Sequence, residues 1–198
     1  MNVGGYERRE IAAAMRGSVL KSGLTQTDFA LHLGTSATRL STYLTGTTIP
    51  SAAIYLRALR LGAAFEHARE QGLMTPDTAA DVVNRALARR DENFALQMIL
   101  QARDHFRAAA LESDEVWRLW ERRARLIDDV RFDTLFRAII ARASGEDAPA
   151  WAADARLDDE WFFPDPFGDA DADTIRAQTP HWLARANIYI AEQDLVTG

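Results

Sequence analysis

Residues able to do acid–base, nucleophilic or metal chemistry are few in this chain and stand apart. The four histidines, His32, His67, His105 and His181, form no His-x-x-x-His pair that would set two imidazoles on one helix face for a metal. His32 is expected at the surface of its helix. There are no cysteines, which excludes disulfides and thiolate zinc sites. Asp169, Asp171 and Asp173 alternate in DADAD, but the glycine and the distal glutamate of a calcium loop are missing at their offsets. There is no glycine-rich phosphate loop and no Gly-x-Ser-x-Gly. The expectation is a protein that is not an enzyme, with no catalytic residues, no metal site and no cofactor.

Recognition chemistry is better represented. In the stretch TQTDFALHLGTSATRLSTYLTGTTIPS, from Thr25 to Ser51, two short amphipathic segments flank one glycine. Phe29 and Leu33 fall four apart in the first, beside the small Ala30. Leu40, Tyr43 and Leu44 make an apolar stripe in the second, with Ala37 near it. At about 100° per residue, Thr38, Thr42 and Thr45 then fall on the opposite face, flanked by Arg39 and Ser41. That face carries no acid. Hydroxyls bond phosphate or base edges, threonine methyls touch a thymine methyl, and arginine forks onto guanine. The elements that must position it are two helices joined by a tight turn. Gly34 suits the left-handed residue that ends the first helix, and Ser36 suits the cap of the next. This is the pattern of a helix-turn-helix.

The same stretch resembles the phage-repressor-type (Xre-like) helix-turn-helix family. The family's Gln at the start of the first helix is Gln26, its Ala is Ala30, its Gly is Gly34 and its aliphatic residue is Leu40. The Ser-aromatic-Gly-Pro trail is present as Ser41, Tyr43, Gly46 and Pro50. Thr35 departs from the usual valine. The resemblance covers about the first third of the chain. It implies that Gln26 contacts phosphate and that Ser36, Thr38 and Thr42 face the major groove. Thr47, in the hydroxyl-rich loop that follows, is positioned to grip the backbone, and Arg16 and Lys21 are candidate phosphate contacts.

Charge is unevenly distributed. The chain of 198 residues has a net charge of -6, which is unusual for a DNA binder. Yet the segment through Arg60 carries seven basic and three acidic residues, so the surplus of acid lies beyond it. A basic reader joined to an acidic body is the expected organisation, with the reader attracted to phosphate and the acidic part suited to a basic partner. No apolar run approaches the ~20 residues of a membrane span, and MNVGGYERRE lacks a signal-peptide pattern. A cytoplasmic protein with no membrane partner is expected.

Helical periodicity continues through the middle of the chain. Glu7–Ser22 reads as a first helix with Ile11, Met15, Val19 and Leu20 inward. Ser51 caps a helix running to Glu70. Thr75-Pro76-Asp77 is a helix start. A long helix follows from Asp91 or Glu92, then another over VWRLWERRARL from Ser113, and one from Asp133. The expected fold class is all-α: a helix-turn-helix bundle over residues 1–70, then an acidic helical domain over 71–198 for dimerisation or partner binding.

The last fifty residues differ. Trp161-Phe162-Phe163-Pro164-Asp165-Pro166-Phe167 packs aromatics and prolines together, and the proline spacing forbids a long helix. An extended, ordered segment is expected, with a short helix from Asp171 and another, HWLARAN, capped by Thr179-Pro180. Trp161, Phe162, Phe163, Phe167 and Trp182 either cover the helical core or form a partner-binding surface. This segment is similar to one in regulators of high-GC bacteria that are often encoded beside nucleotidyltransferase-like toxins. That resemblance implies an autoregulating antitoxin that neutralises a toxin while repressing the shared operon.

The resulting expectation is a repressor binding a double-stranded DNA operator as a homodimer, with a cognate toxin as possible partner. The alternatives are a stand-alone regulator whose C-terminal domain dimerises or senses a small ligand, and a toxin inhibitor or scaffold without DNA binding.

Overall fold

The computed structural model describes residues 4–164 and 171–197, and Phe167 and Asp169 fall outside them. The described chain is all-α apart from one two-stranded pair. It divides into two compact units, residues 1–74 with 109–124, and residues 75–108 with 125–198. The expected boundary at 70/71 thus moves to 74/75, and the first unit takes back a later segment.

Unit 1 begins with α1 (Gly5–Ser22), α2 (Gln26–Leu33), α3 (Ala37–Leu44) and α4 (Ala52–Glu70). Each start after α1 has a local cause. The side chains of Thr25, Ser36 and Ser51 accept the backbone N–H three residues on, satisfying donors that the first helical turn leaves open. Gly34 closes α2 at φ 78°, a left-handed conformation that a side chain resists. Met15, Phe29, Ala30, Leu33, Leu40, Tyr43, Leu44 and Ala58 form the core. Two expectations fail here. Leu20 is 80% exposed, and Ala37 lies at the exposed start of α3 rather than near its buried stripe.

α1 and α4 touch backbone to backbone. A Cβ added to Gly62 would lie 2.8 Å from both the Cα and the carbonyl oxygen of Ser18. The inward face of α4 is accordingly small, with Ala58, Gly62, Ala64 and Ala68 buried beside Phe65. The later segment adds the end of α6 (Glu92–Glu112) and α7 (Asp114–Trp117), which packs on α4. A single 3-10 turn then buries Leu119 and Trp120.

The helix expected over VWRLWERRARL stops at Trp120. Beyond it, in unit 2, side chains capture the backbone. Asp77 accepts from Arg125 N at 2.9 Å, Asp133 from Ile127 N at 3.0 Å, and Asn84 from Asp128 N at 2.9 Å. Asn84 also donates to Leu126 O at 3.0 Å. These long-range bonds outcompete local helical ones, and sequence periodicity does not see them.

Unit 2 holds α5 (Pro76–Ala88), most of α6, α8 (Val130–Ser144), α9 (Ala172–Gln178) and α10 (His181–Ala184). α5 starts as expected, with Thr75 and Thr78 bonded reciprocally and Pro76 in the first turn. α8 begins three residues before Asp133 because Asp129 accepts from Arg131 N and caps it. α10 is a single turn, and Thr179 does not cap it. The Thr179 hydroxyl donates instead to Ile175 O, at 2.7 Å in α9.

The extended aromatic segment becomes β1 (Trp161–Phe162), parallel to β2 (Ile188–Tyr189), with Trp161 opposite Ile188. Alternation along β1 sends Trp161 and Phe163 inward, where both pack on Phe132, with ring centroids 5.1 and 6.3 Å away.

Candidate nucleic-acid interface

The apolar stripe of α3 is buried as the wheel requires, with Leu40 0%, Tyr43 6% and Leu44 6% exposed. What remains outward is Ser36, Thr38, Arg39, Ser41, Thr45 and Thr47, all exposed, with Thr42 half-buried between them. No acidic residue occurs from Phe29 to Tyr55, so neither α3 nor the loop after it brings a carboxylate to this face.

The hydroxyls differ in what they have left to offer. Thr42 Oγ1 donates to Arg39 O at 2.8 Å, and Thr45 Oγ1 to Ser41 O at 3.1 Å. Both protons are spent within the helix, so these two oxygens are acceptors. Thr45 and Thr47 hydroxyls also bond each other at 2.9 Å. Ser36 Oγ accepts from Arg39 N at 3.2 Å and keeps its own proton to donate. The side chains of Gln26, Thr38, Arg39 and Ser41 make no hydrogen bond or ion pair to other described residues. The face therefore presents free donors at Ser36, Thr38, Arg39, Ser41 and Gln26, with acceptors at Thr42 and Thr45.

The two candidate cations of α1 behave differently. Arg16 Nη1 donates to Leu44 O, matching a guanidinium to the partial negative charge at the C-terminus of α3. Lys21 pairs with Glu66 of α4 at 2.8 Å, an exposed ion pair that competes with a phosphate contact. Sequence reasoning missed Arg8. Its Nη1 donates to Gly46 O at 3.3 Å and Thr47 O at 3.2 Å. Arg8 and Arg16 lie eight apart on α1, and that spacing does not say which neighbouring element they reach. Each uses few of its five N–H groups, so positive charge remains where α3 ends and the threonine loop begins.

His32 corrects the surface expectation. It is 6% exposed, and its ring stands edge-on to Phe65 at 5.2 Å. At the C-terminus of α2, Arg57 and Arg122 donate to Leu33 O and Leu31 O, at 3.3 and 3.2 Å.

The aromatic candidates are mostly occupied. Trp161 and Phe163 are 8% and 4% exposed, so in this chain they are core rather than a free partner surface. Phe162 stacks on Tyr189 at 4.6 Å, and the Arg176 guanidinium lies 5.1 Å from its ring. Glu160 joins Arg176 at 2.8 Å and accepts from the Tyr189 hydroxyl at 2.8 Å. Trp182 is half-buried, and Phe167 lies outside the described residues.

Among the described residues no group of three or more His, Cys, Asp and Glu is placed to hold a metal ion, and no helix is long and apolar enough to cross a membrane. In class this is an all-α protein with an amino-terminal helix-turn-helix bundle. No family model, no curated protein and no solved structure matches the chain.

Proposed function

We propose that the chain binds duplex DNA by laying α3 in the major groove, and that it acts as a transcriptional repressor without catalytic activity. The observation that carries this reading is the outward face of α3. It is free of acid, rich in hydroxyls, and holds an arginine unpaired among the described residues, on a helix whose opposite stripe is anchored in the core. Short polar side chains let a helix approach the base edges closely, and an arginine adds bidentate recognition of guanine. Arg8 and Arg16 then lie toward phosphates flanking the groove, and Gln26 at the start of α2 toward another.

One such face reads few base pairs, and each good base contact discriminates by only ~1–3 kcal/mol. Selecting one site in a genome calls for two readers about one DNA turn apart, so the binding species is a homodimer. The test is a gel shift of the purified chain on the DNA upstream of its own gene, in the presence of excess random duplex. A retarded band that survives the competitor supports sequence-specific binding, and loss of that band at modest competitor removes the proposal.

The antitoxin role, in a cytoplasmic setting, rests on the resemblance of the aromatic segment and on the acid surplus of unit 2, which carries twelve arginines against twenty acids. With Trp161 and Phe163 buried, a partner surface would draw on that charge rather than on those rings. Co-purification with the product of the adjacent gene tests it.

A further inference from the structure

Unit 2 contains an open cleft of about 660 Å³, within the ~300–1,000 Å³ range of small-molecule sites. Its walls are the end of α8, the loop around residues 152–156, and the corner between α10 and β2. Three guanidinium groups line it, those of Arg142, Arg156 and Arg185. Each is exposed, and none makes a hydrogen bond or ion pair with another described residue.

Among the unit's other arginines, Arg85, Arg89 and Arg90 are likewise exposed without a partner among the described residues, but they do not line this cleft. Arg125, Arg131 and Arg176 are held by carboxylates, Arg137 by the carbonyls of Trp151 and Ala153, and Arg103 by both kinds of group. In a unit with twenty acids, three cations share one cleft whose only acidic lining residue is Asp154. Like charges gathered without counter-ions repel one another, and an anion between them removes the repulsion.

The remaining walls narrow the choice of anion. Trp182, half-buried, gives a flat apolar side. Asn187 donates its amide Nδ2 to Leu157 O at 2.8 Å, which leaves its Oδ1 as an acceptor. Asp154 and Asn187 both hold left-handed backbones, φ 50° and 59°, a conformation these two residue types adopt readily. Asp154 would repel a bare phosphate cluster, but it can accept from hydroxyls.

We propose that this cleft binds a nucleotide. The phosphates lie on Arg142, Arg156 and Arg185, whose planar forks suit phosphate oxygens. The base lies against Trp182, with Asn187 Oδ1 accepting from an amino edge and Asp154 from ribose hydroxyls. The site is independent of the α3 face, and its failure would leave the DNA-binding proposal untouched.

Calorimetry on the full-length chain at low salt tests it, using the four ribonucleoside triphosphates, adenosine and inorganic tripolyphosphate. At least one nucleotide is expected to bind about tenfold or more tightly than tripolyphosphate. Arg185→Glu should remove nucleotide binding. Trp182→Leu should reduce the nucleotide to the level of tripolyphosphate, and Trp182→Tyr should restore part of the difference. Arg89→Glu, exposed in the same unit and outside the cleft, should leave nucleotide affinity unchanged. Circular dichroism of each variant separates lost binding from lost fold. No binding by any nucleotide overturns the proposal. So does an affinity untouched by Arg185→Glu, or equal binding of tripolyphosphate and nucleotide before and after Trp182→Leu, which would reduce the cleft to a nonspecific anion patch.

Discussion

Thr42 sits at the middle of the outward face of α3, half-buried, with its proton already given to Arg39 O. A carboxylate at this position meets phosphate and base acceptors while leaving the helix intact. Thr42→Glu is therefore expected to abolish operator binding in a gel shift, with stability within about 0.5 kcal/mol of the parent. Retained affinity would mean that another face does the reading. Arg39 and Lys21 separate by the same logic. Arg39 has no intramolecular partner among the described residues, whereas Lys21 is paired with Glu66. Arg39→Ala should weaken operator binding by roughly 1–3 kcal/mol and relax the choice of base it reads, and Lys21→Ala should leave both the affinity and its salt dependence unchanged. Arg16→Ala should cost about 1 kcal/mol of thermal stability by freeing the last carbonyl of α3, a loss that a purely phosphate-bound arginine would not show.

Helix packing gives a pair of opposite expectations on neighbouring elements. Gly62→Ala would drive a methyl to 2.8 Å from the Ser18 backbone. The backbone cannot rotate away, so a loss of roughly 1–3 kcal/mol is expected, outweighing the ~1 kcal/mol that alanine gains in helix propensity. Gly17→Ala meets nothing within 4 Å and should stabilise by up to ~1 kcal/mol. Denaturant midpoints of both variants measure this. The capping aspartates of unit 2 give a pH dependence. The Arg131 side chain, through its hydrogen bond, holds the Asp129 carboxyl below the usual range, and the backbone N–H of Thr174 does the same for Asp171. With folded values below unfolded ones, their stabilisation is fully present above the unfolded carboxylate value. It is lost as the pH falls from about 4 through the folded values. Thermal melts should decline below about pH 4, and less steeply in Asp129→Asn.

Helix starts were legible because their causes are local: Thr25, Ser36, Ser51 and Thr75 each cap from within three residues. The stop at Trp120 and the strand pair were not, because Asp77, Asn84 and the 186–189 segment act from tens of residues away. The polar face of α3 was legible for the same reason as the caps. The service of Arg8 and Arg16 to the end of α3, and the burial of His32 against Phe65, depend on packing between helices, which spacing alone does not report.

Over the whole chain, charge and association follow from composition. Unit 2 holds a net charge of -8, from twelve arginines and twenty acids, and unit 1 is mildly basic. Sedimentation should give twice the 22.1 kDa chain mass if two readers are needed for one operator. A monomer that protects an undivided half-site would contradict the dimer.

The chain order of the two units has a consequence for synthesis. Residues 1–74 are joined in unit 1 by residues 109–124, which deliver Leu119 and Trp120 to a buried setting. A ribosome making this protein must extend the nascent chain past position 124 before the amino-terminal bundle has all its parts, and by then the first stretch of unit 2 is already out. The reader is not a module that emerges finished and waits. A gene truncated anywhere before that point would leave an amino-terminal piece that has its α3 and lacks a wall of its own interior.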